Sequence, residues 1–271
     1  MTKPTIVCLG PSGSFSEQTL STTLGQQAIN IKLVTDLSDL LIELENHTID
    51  YAWLPWWNSG CGFLQDRFKK EFLLSIIRAN NPYKIIVDDF TPLKFSLLSL
   101  ANTAISDIKT ILVNPYTQEI CKQFFIKHPH LKVIVKSSSS EAAREVANQK
   151  NPSIAASGNL HAAKLYNLQV LQETMVAPTE ESMMQFILLA HRDIPDAVSV
   201  KGHYFITSCA IQGDKNQLLN ANLDIHASRH SSLDPSISLL ELNGKIEEEN
   251  LKKILDKQFL CYLGCHPRFR K

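Results

Sequence analysis

The stretch Gly10-Pro11-Ser12-Gly13-Ser14-Phe15-Ser16-Glu17 follows a short apolar run, Ile6-Val7-Cys8-Leu9, and leads into a helix-forming segment. A strand, a turn of small residues and a helix start gather bare N–H groups and hydroxyls at one point. That arrangement accepts an anion, because the first N–H groups of a helix lack intrahelical partners and the helix dipole favours negative charge. The local alternative is a tight turn, with Ser14 or Ser16 as N-cap and Glu17 as a first-turn acid. A second polar stretch, Trp56-Trp57-Asn58-Ser59-Gly60-Cys61-Gly62, reads as a small turn after a strand candidate at Tyr51 to Pro55. Metal chemistry has little support. Cys261-x-x-x-Cys265 with His266 offers too few ligands nearby, and His226, His230 and His266 fit no recognised ligand spacing. His161 lies one turn into a helix near Ala155-Ala156-Ser157, placed either to face a cleft there or, more simply, as a solvent-side residue.

The elements that must position these groups alternate from the start. After the strand at Ile6 to Leu9 comes a strand at Ile31 to Val34, then a helix capped by Asp36 with Leu37, Leu40, Leu41 and Leu44 on one face. Further strand candidates are Phe72 to Ile77, Lys84 to Val87, Phe95 to Leu100, Ile111 to Val113 and Leu131 to Val135. Ser137 to Ser140 reads as an N-cap cluster opening a helix, and Ile154 to Gly158 repeats the strand-then-small-residue arrangement. Met184 to Leu189, reached after a long excursion, reads as a strand returning to the first half of the domain. This progression predicts an α/β domain with a mostly parallel sheet and ligands at the carboxyl ends of its strands. The pattern breaks around Arg192 to Asp196, and a smaller α+β unit of four strands and a helix follows.

The totals narrow the function. At 271 residues, with 27 Lys plus Arg against 27 Asp plus Glu, no global field attracts nucleic acid or an anionic membrane. No apolar run approaches a membrane span, and Met1-Thr2-Lys3-Pro4 leads straight into a strand without a signal-peptide pattern. Six cysteines are scattered without a CxxC pair, several within apolar runs, which suits a reduced cytoplasmic protein.

Several loops together carry a resemblance. Gly10 to Glu17, Pro55-x-x-Asn58-Ser59-x-x-Gly62, Pro115 with Cys121, Ser139-x-x-Ala142-Ala143 and Ala155-Ala156-Ser157 lie in the order and spacing of the prephenate dehydratase family. In the tail, Ser228-Arg229 and Leu263-Gly264-x-x-Pro267 resemble the signatures of that family's C-terminal ACT domain. The resemblance implies an α/β, two-lobed, type 2 periplasmic-binding-protein-like dehydratase domain over residues 1–195, with a cleft between its lobes. A small α+β ACT-like domain would follow over residues 200–271. It implies a homodimer or homotetramer; no cofactor and no metal are expected. The ligand would be a small carboxylic acid, prephenate or a relative, contacted by Ser14, Phe15, Ser16, Trp57, Asn58, Ser59, Asn114, Ser139, Met184 and Gln185.

The resemblance fails where the family's chemistry sits. Its Thr-Arg-Phe motif falls at Met184-Gln185-Phe186. A thioether donates no proton, and an amide neither neutralises a carboxylate nor makes the charge-assisted fork of a guanidinium. Loss of a transition-state donor costs two to three orders of magnitude, roughly 3–4 kcal/mol. The family's Pro-Ile-Glu-Asn-Ser loop reads Pro55-Trp56-Trp57-Asn58-Ser59, and its Ser-His-Pro loop reads Val113-Asn114-Pro115. Ala227 and His230 replace two residues of the ACT signature, and only about ten residues separate Gln212 from Asn222, so phenylalanine binding of the family kind is not expected. The expectation is therefore a family member with weak or altered lyase activity. The alternatives are a non-aromatising prephenate decarboxylase-like enzyme, a non-catalytic small-acid binding protein, and a true dehydratase of phenylalanine biosynthesis.

Overall fold

The computed structural model describes residues 3–25, 29–46, 48–60, 62–63, 83–177, 182–193, 204–212, 225–230, 236–255 and 259–268. Phe72 to Ile77 and the segment between Gln212 and Asn222 fall outside them or mostly so, as do the side chains of Cys261, Cys265, His266, His226 and His230. The chain divides into two compact units. The first comprises Met1–Leu9, Leu20–Thr91 and Met183–Lys271, and the second comprises Gly10–Thr19 and Pro92–Ser182.

The first unit begins with β1 (Thr5–Leu9), the C-terminal part of α1 (Phe15–Leu24), β2 (Asn30–Val34), α2 (Leu37–Glu45), β3 (Tyr51–Asn58) and β4 (Gly62–Phe63). It continues with β5 (Tyr83–Pro92) and β11 (Met183–His191), then β12 (Tyr204–Gln212), β13 (Ile225–His230), β14 (Ile237–Asn243), α7 (Glu248–Leu255) and β15 (Phe259–Arg268). Asp36 caps α2, its carboxylate accepting from Ser38 N–H at 2.9 Å. β1 runs parallel to β2 and β3, while β11 returns antiparallel to β3, with Met184 opposite Asn58 and Gln185 opposite Trp57. The return of β11 to the early strands is as expected, but the sheet is mixed rather than mostly parallel. β3 also runs three residues into the expected turn: Trp56 is fully buried and meets Phe63 edge-on at 5.5 Å, so the apolar core extends the strand through it.

The strands run in the order β13-β14-β12-β15-β5-β11-β3-β1-β2. β15 joins β5 through the pair Arg268 and Asp88, and the C-terminal strands pair antiparallel. Four steps separate β14 from β11 in that order, about 19 Å in a flat sheet at ~4.8 Å per step. Yet Glu241 on β14 lies 2.9 Å from Gln185 on β11. Within this unit the sheet must therefore fold back so that the C-terminal strands cover the β3–β11 region. Leu239 and Leu263 join Val7, Leu54, Trp56 and Ile187 in one core.

The second unit is a five-stranded sheet in the order β10-β6-β9-β7-β8, from β6 (Ser96–Ser99), β7 (Thr110–Val113), β8 (Lys132–Val135), β9 (Ile154–Gly158) and β10 (Gln169–Gln172). Its helices are the first turns of α1, α3 (Pro115–Ile120), α4 (Lys122–Lys127), α5 (Ser139–Gln149) and α6 (Leu160–Leu165). The helix expected after Pro115 is split at Cys121, which is buried with Phe124. Small side chains, Ala142, Ala143, Ala156, Ala162 and Ala163, let α5 and α6 approach the sheet closely.

Candidate anion-binding site

The second unit brings several helix starts to the loop from Gly10 to Glu17. Ser14 caps α1, its hydroxyl accepting from Glu17 N–H at 3.1 Å. Ser138 caps α5 and Asn159 caps α6 in the same way. The loop is tied to both. Ser140 Oγ on α5 and Tyr166 Oη both donate to the carbonyl of Ser12, the latter at 2.8 Å, and Asn159 Nδ2 donates to the carbonyl of Gly13 at 3.1 Å. Gly13 makes this approach possible. Its φ is +85°, and a Cβ there would lie 2.9 Å from Ser140 Oγ and 3.4 Å from Ala162 Cα.

Part of the loop's anion-holding capacity is already engaged. Glu17 folds back so that its carboxylate accepts from Gly13 N–H at 2.6 Å and from the Ser12 hydroxyl at 3.2 Å. His161 Nε2 sits 3.1 Å from the same oxygen, so it faces the loop rather than solvent alone. Two hydroxyls remain. Ser16 in the first turn of α1 and Ser139 at the start of α5 are 5% and 6% exposed, and neither has a side-chain hydrogen bond among the described residues. Helix N-termini with unengaged hydroxyls bind carboxylates or phosphates well.

The other expected site residues have varied fates. Phe15 packs edge-on against Phe95 at 5.0 Å, which in turn meets Tyr116 at 6.3 Å. Asn114 caps α3, accepting from Thr117 N–H at 2.7 Å and from its hydroxyl at 2.6 Å. In the first unit, Asn58 and Ser59 knit the end of β3 to β11. Asn58 Nδ2 donates to the Met183 carbonyl at 3.1 Å, and Ser59 Oγ accepts from Met183 N–H at 3.0 Å. Met184 is half-buried beside them.

Gln185 and Trp57 belong to a different constellation, one the motif reading missed. Gln185 is 2% exposed, and its Nε2 donates to Asp88 Oδ2 and to Glu241 Oε1, each at 2.9 Å. Glu241 Oε2 makes a 2.7 Å ion contact with Arg229 Nη1, although the angles fall short of a hydrogen bond. The Arg229 guanidinium stacks over Trp57 at 4.6 Å and Phe90 at 5.2 Å, a cation–π arrangement. Asp89, next to Asp88, accepts from Thr23 at 2.6 Å. Sequence signals for this cluster existed: Asp88-Asp89 directly follow the apolar run Ile85-Ile86-Val87, and Glu241 stands between Leu240 and Leu242, where charges need partners. Among the described residues no three His, Cys, Asp or Glu side chains gather as a metal would require, and no helix is long and apolar enough to cross a membrane.

Comparison with known proteins bears on both regions. The family model described as PDT, prephenate dehydratase, matches residues 6–194. The bifunctional chorismate mutase/prephenate dehydratase of Enterobacter agglomerans is 24% identical over 282 residues, covering 97% of this chain and 70% of the relative. That of Escherichia coli K12 is 25% identical over 280 residues, with the same coverage. Among solved structures, the prephenate dehydratase of Arthrobacter aurescens in complex with L-Phe superimposes with a TM-score of 0.74 at 20% identity, covering 97% of this chain and 90% of the other. A structure described as GqqA, a novel type of quorum quenching acylase, gives 0.72 at 17% identity, covering 97% and 98%. Their likeness is one of fold, whereas the matched family model spans more than half of the sequence. The chain belongs to the prephenate dehydratase family.

Proposed function

We propose that this protein binds prephenate or a closely related small carboxylic acid, with weak or altered lyase activity. The observation that carries the reading is the pair of buried, unengaged hydroxyls, Ser16 and Ser139, on helix starts held together by the Ser12 and Gly13 carbonyl contacts. Dehydration of prephenate needs a proton for the departing ring hydroxyl. At the family's motif position Met184 offers a thioether, and the Gln185 amide already donates to Asp88 and Glu241. Loss of the motif's proton donor favours slow turnover, decarboxylation without aromatisation, or binding alone over efficient dehydration. The GqqA likeness illustrates that one fold hosts different activities.

The reading extends to the C-terminal segment. The order β13-β14-β12-β15, with α7 between β14 and β15, supports an ACT-like sandwich over residues 200–271 following a dehydratase-like domain over residues 1–195. Assembly as a homodimer or homotetramer in the cytoplasm belongs to the same proposal. The test is incubation of purified protein with prephenate. Binding by calorimetry with little phenylpyruvate is the expected result, and dehydration at ordinary enzyme rates would defeat it. Carbon dioxide released without an aromatic product would identify the decarboxylase-like alternative.

A further inference from the structure

We propose that Glu241 is a positioning residue for the β3–β11 end of the first unit, acting through Gln185. The chain of contacts is continuous. Arg229 on β13 meets Glu241 on β14, and Glu241 accepts one N–H of the Gln185 amide while Asp88 on β5 accepts the other. The amide is placed with its NH2 group between Asp88 and Glu241, the orientation that two ionised carboxylates require, since an Oε1 there would set acceptor against acceptor. Gln185 Oε1 itself has no hydrogen-bond partner among the described residues, so the donating side alone ties the side chain down.

Gln185 stands next to Met184, and Met183 carries the backbone groups to which Asn58 and Ser59 bond. β11 is therefore gripped at neighbouring residues from two directions. Asn58 and Ser59 hold the backbone at Met183, and carboxylates from β5 and the C-terminal strands hold the side chain of Gln185. Opposite Gln185 in register, Trp57 is pressed by the Arg229 guanidinium, which Glu241 also orients. Glu241 thus touches both cross-strand partners, one directly and one through Arg229. Without it, Gln185 would keep Asp88 alone and Arg229 would lose its carboxylate, freeing the Met183–Gln185 stretch and the turn beyond Trp57.

The consequence for ligand binding rests on the carboxylic acid reading above, but the positioning itself is measured without ligand. Backbone amide exchange is compared at residues 184–186 and 58–60, with β1 of the same unit as internal reference, in Glu241→Ala, Glu241→Gln, Gln185→Ala and the double Ala variant. Exchange at both segments rises at least tenfold in Glu241→Ala while β1 is unchanged. The double variant adds nothing further, and Glu241→Gln, which keeps an acceptor oxygen for the Gln185 amide, restores most of the protection. A rise confined to β13 and β14, or independent additive effects of the two Ala changes, overturns the proposal. Should Glu241→Ala not fold, Gln185→Asn decides in its place. One methylene shorter, it cannot span both carboxylates, so unchanged exchange at 58–60 refutes the inference. Prephenate titration of the wild type separates the two readings. Absence of binding there defeats the functional proposal, and the exchange pattern still judges Glu241.

Discussion

The helix starts around Ser12 and Gly13 and the β11 end around Gln185 are both built from buried polar groups, and they use them in opposite ways. In the first, carbonyls, caps and one internal carboxylate satisfy most groups and leave Ser16 and Ser139 over. In the second, the Gln185 amide nitrogen donates to Asp88 and Glu241, and Glu241 meets Arg229, while Gln185 Oε1 stays without a partner among the described residues. Ser16 and Ser139 lack side-chain partners among the described residues, which is what the ligand proposal rests on, whereas the Gln185 amide nitrogen has two internal partners and serves the scaffold. Side-chain chemistry and burial alone do not separate the two cases.

That contrast can be broken at its strongest point by Gln185→Leu. Removing the amide leaves Asp88 and Glu241 buried without their shared donor, and unfolding free energy should fall by about 3 kcal/mol, read from urea denaturation. Gly13→Ala tests how closely the helix starts must approach. With φ at +85° and Ser140 Oγ 2.9 Å from the new Cβ, a loss of about 2 kcal/mol is expected, together with weaker carboxylate binding. Ser16→Ala and Ser139→Ala sharpen the comparison from the other side. Each should change stability by less than about 0.5 kcal/mol yet weaken prephenate binding roughly tenfold, near 1.4 kcal/mol, in calorimetric titration.

The smallest effect concerns acid. Glu141 in the first turn of α5 accepts from the hydroxyl and N–H of Ser137, and chiefly the hydroxyl holds its carboxyl below the ordinary glutamate range. The folded state therefore favours the ionised form. This contribution is complete above the unfolded value and is lost as pH falls through the lower folded one. Glu141→Gln should remove that part of the acid dependence of the melting temperature while leaving the neutral-pH structure intact.

What the sequence made legible was local. Asp36, Ser14 and the serine run before α5 announce caps because a cap and its helix lie within a few residues of each other. Strand β11 announces itself by its apolar run. Trp56 misled because a proline-flanked aromatic pair before Asn-Ser-Gly has the composition of a turn, whereas the core buries it as strand. The partners of Gln185 lie 97 and 56 residues away along the chain. Position 185 shows from sequence only that an expected guanidinium is missing; what its amide does instead depends on a sheet that folds back on itself.

The placement of β11 also has a consequence for how the chain assembles. β3 is complete by residue 58, but β11, which pairs with its other edge, begins at Met183, and residues 92–182, most of the second unit, lie in between. During synthesis the edge of β3 must wait, with its backbone donors and acceptors open, until that whole inserted unit has emerged. An edge left open for so long is a template for mispairing between nascent chains. The second unit has its own sheet and core, and in the folded protein the ends of the excursion lie close together, Leu93 N–H donating to the Ser182 carbonyl at 2.8 Å. Closure of the insertion before β11 pairs would shorten the loop that delivers β11 to its partner and lower its entropic cost.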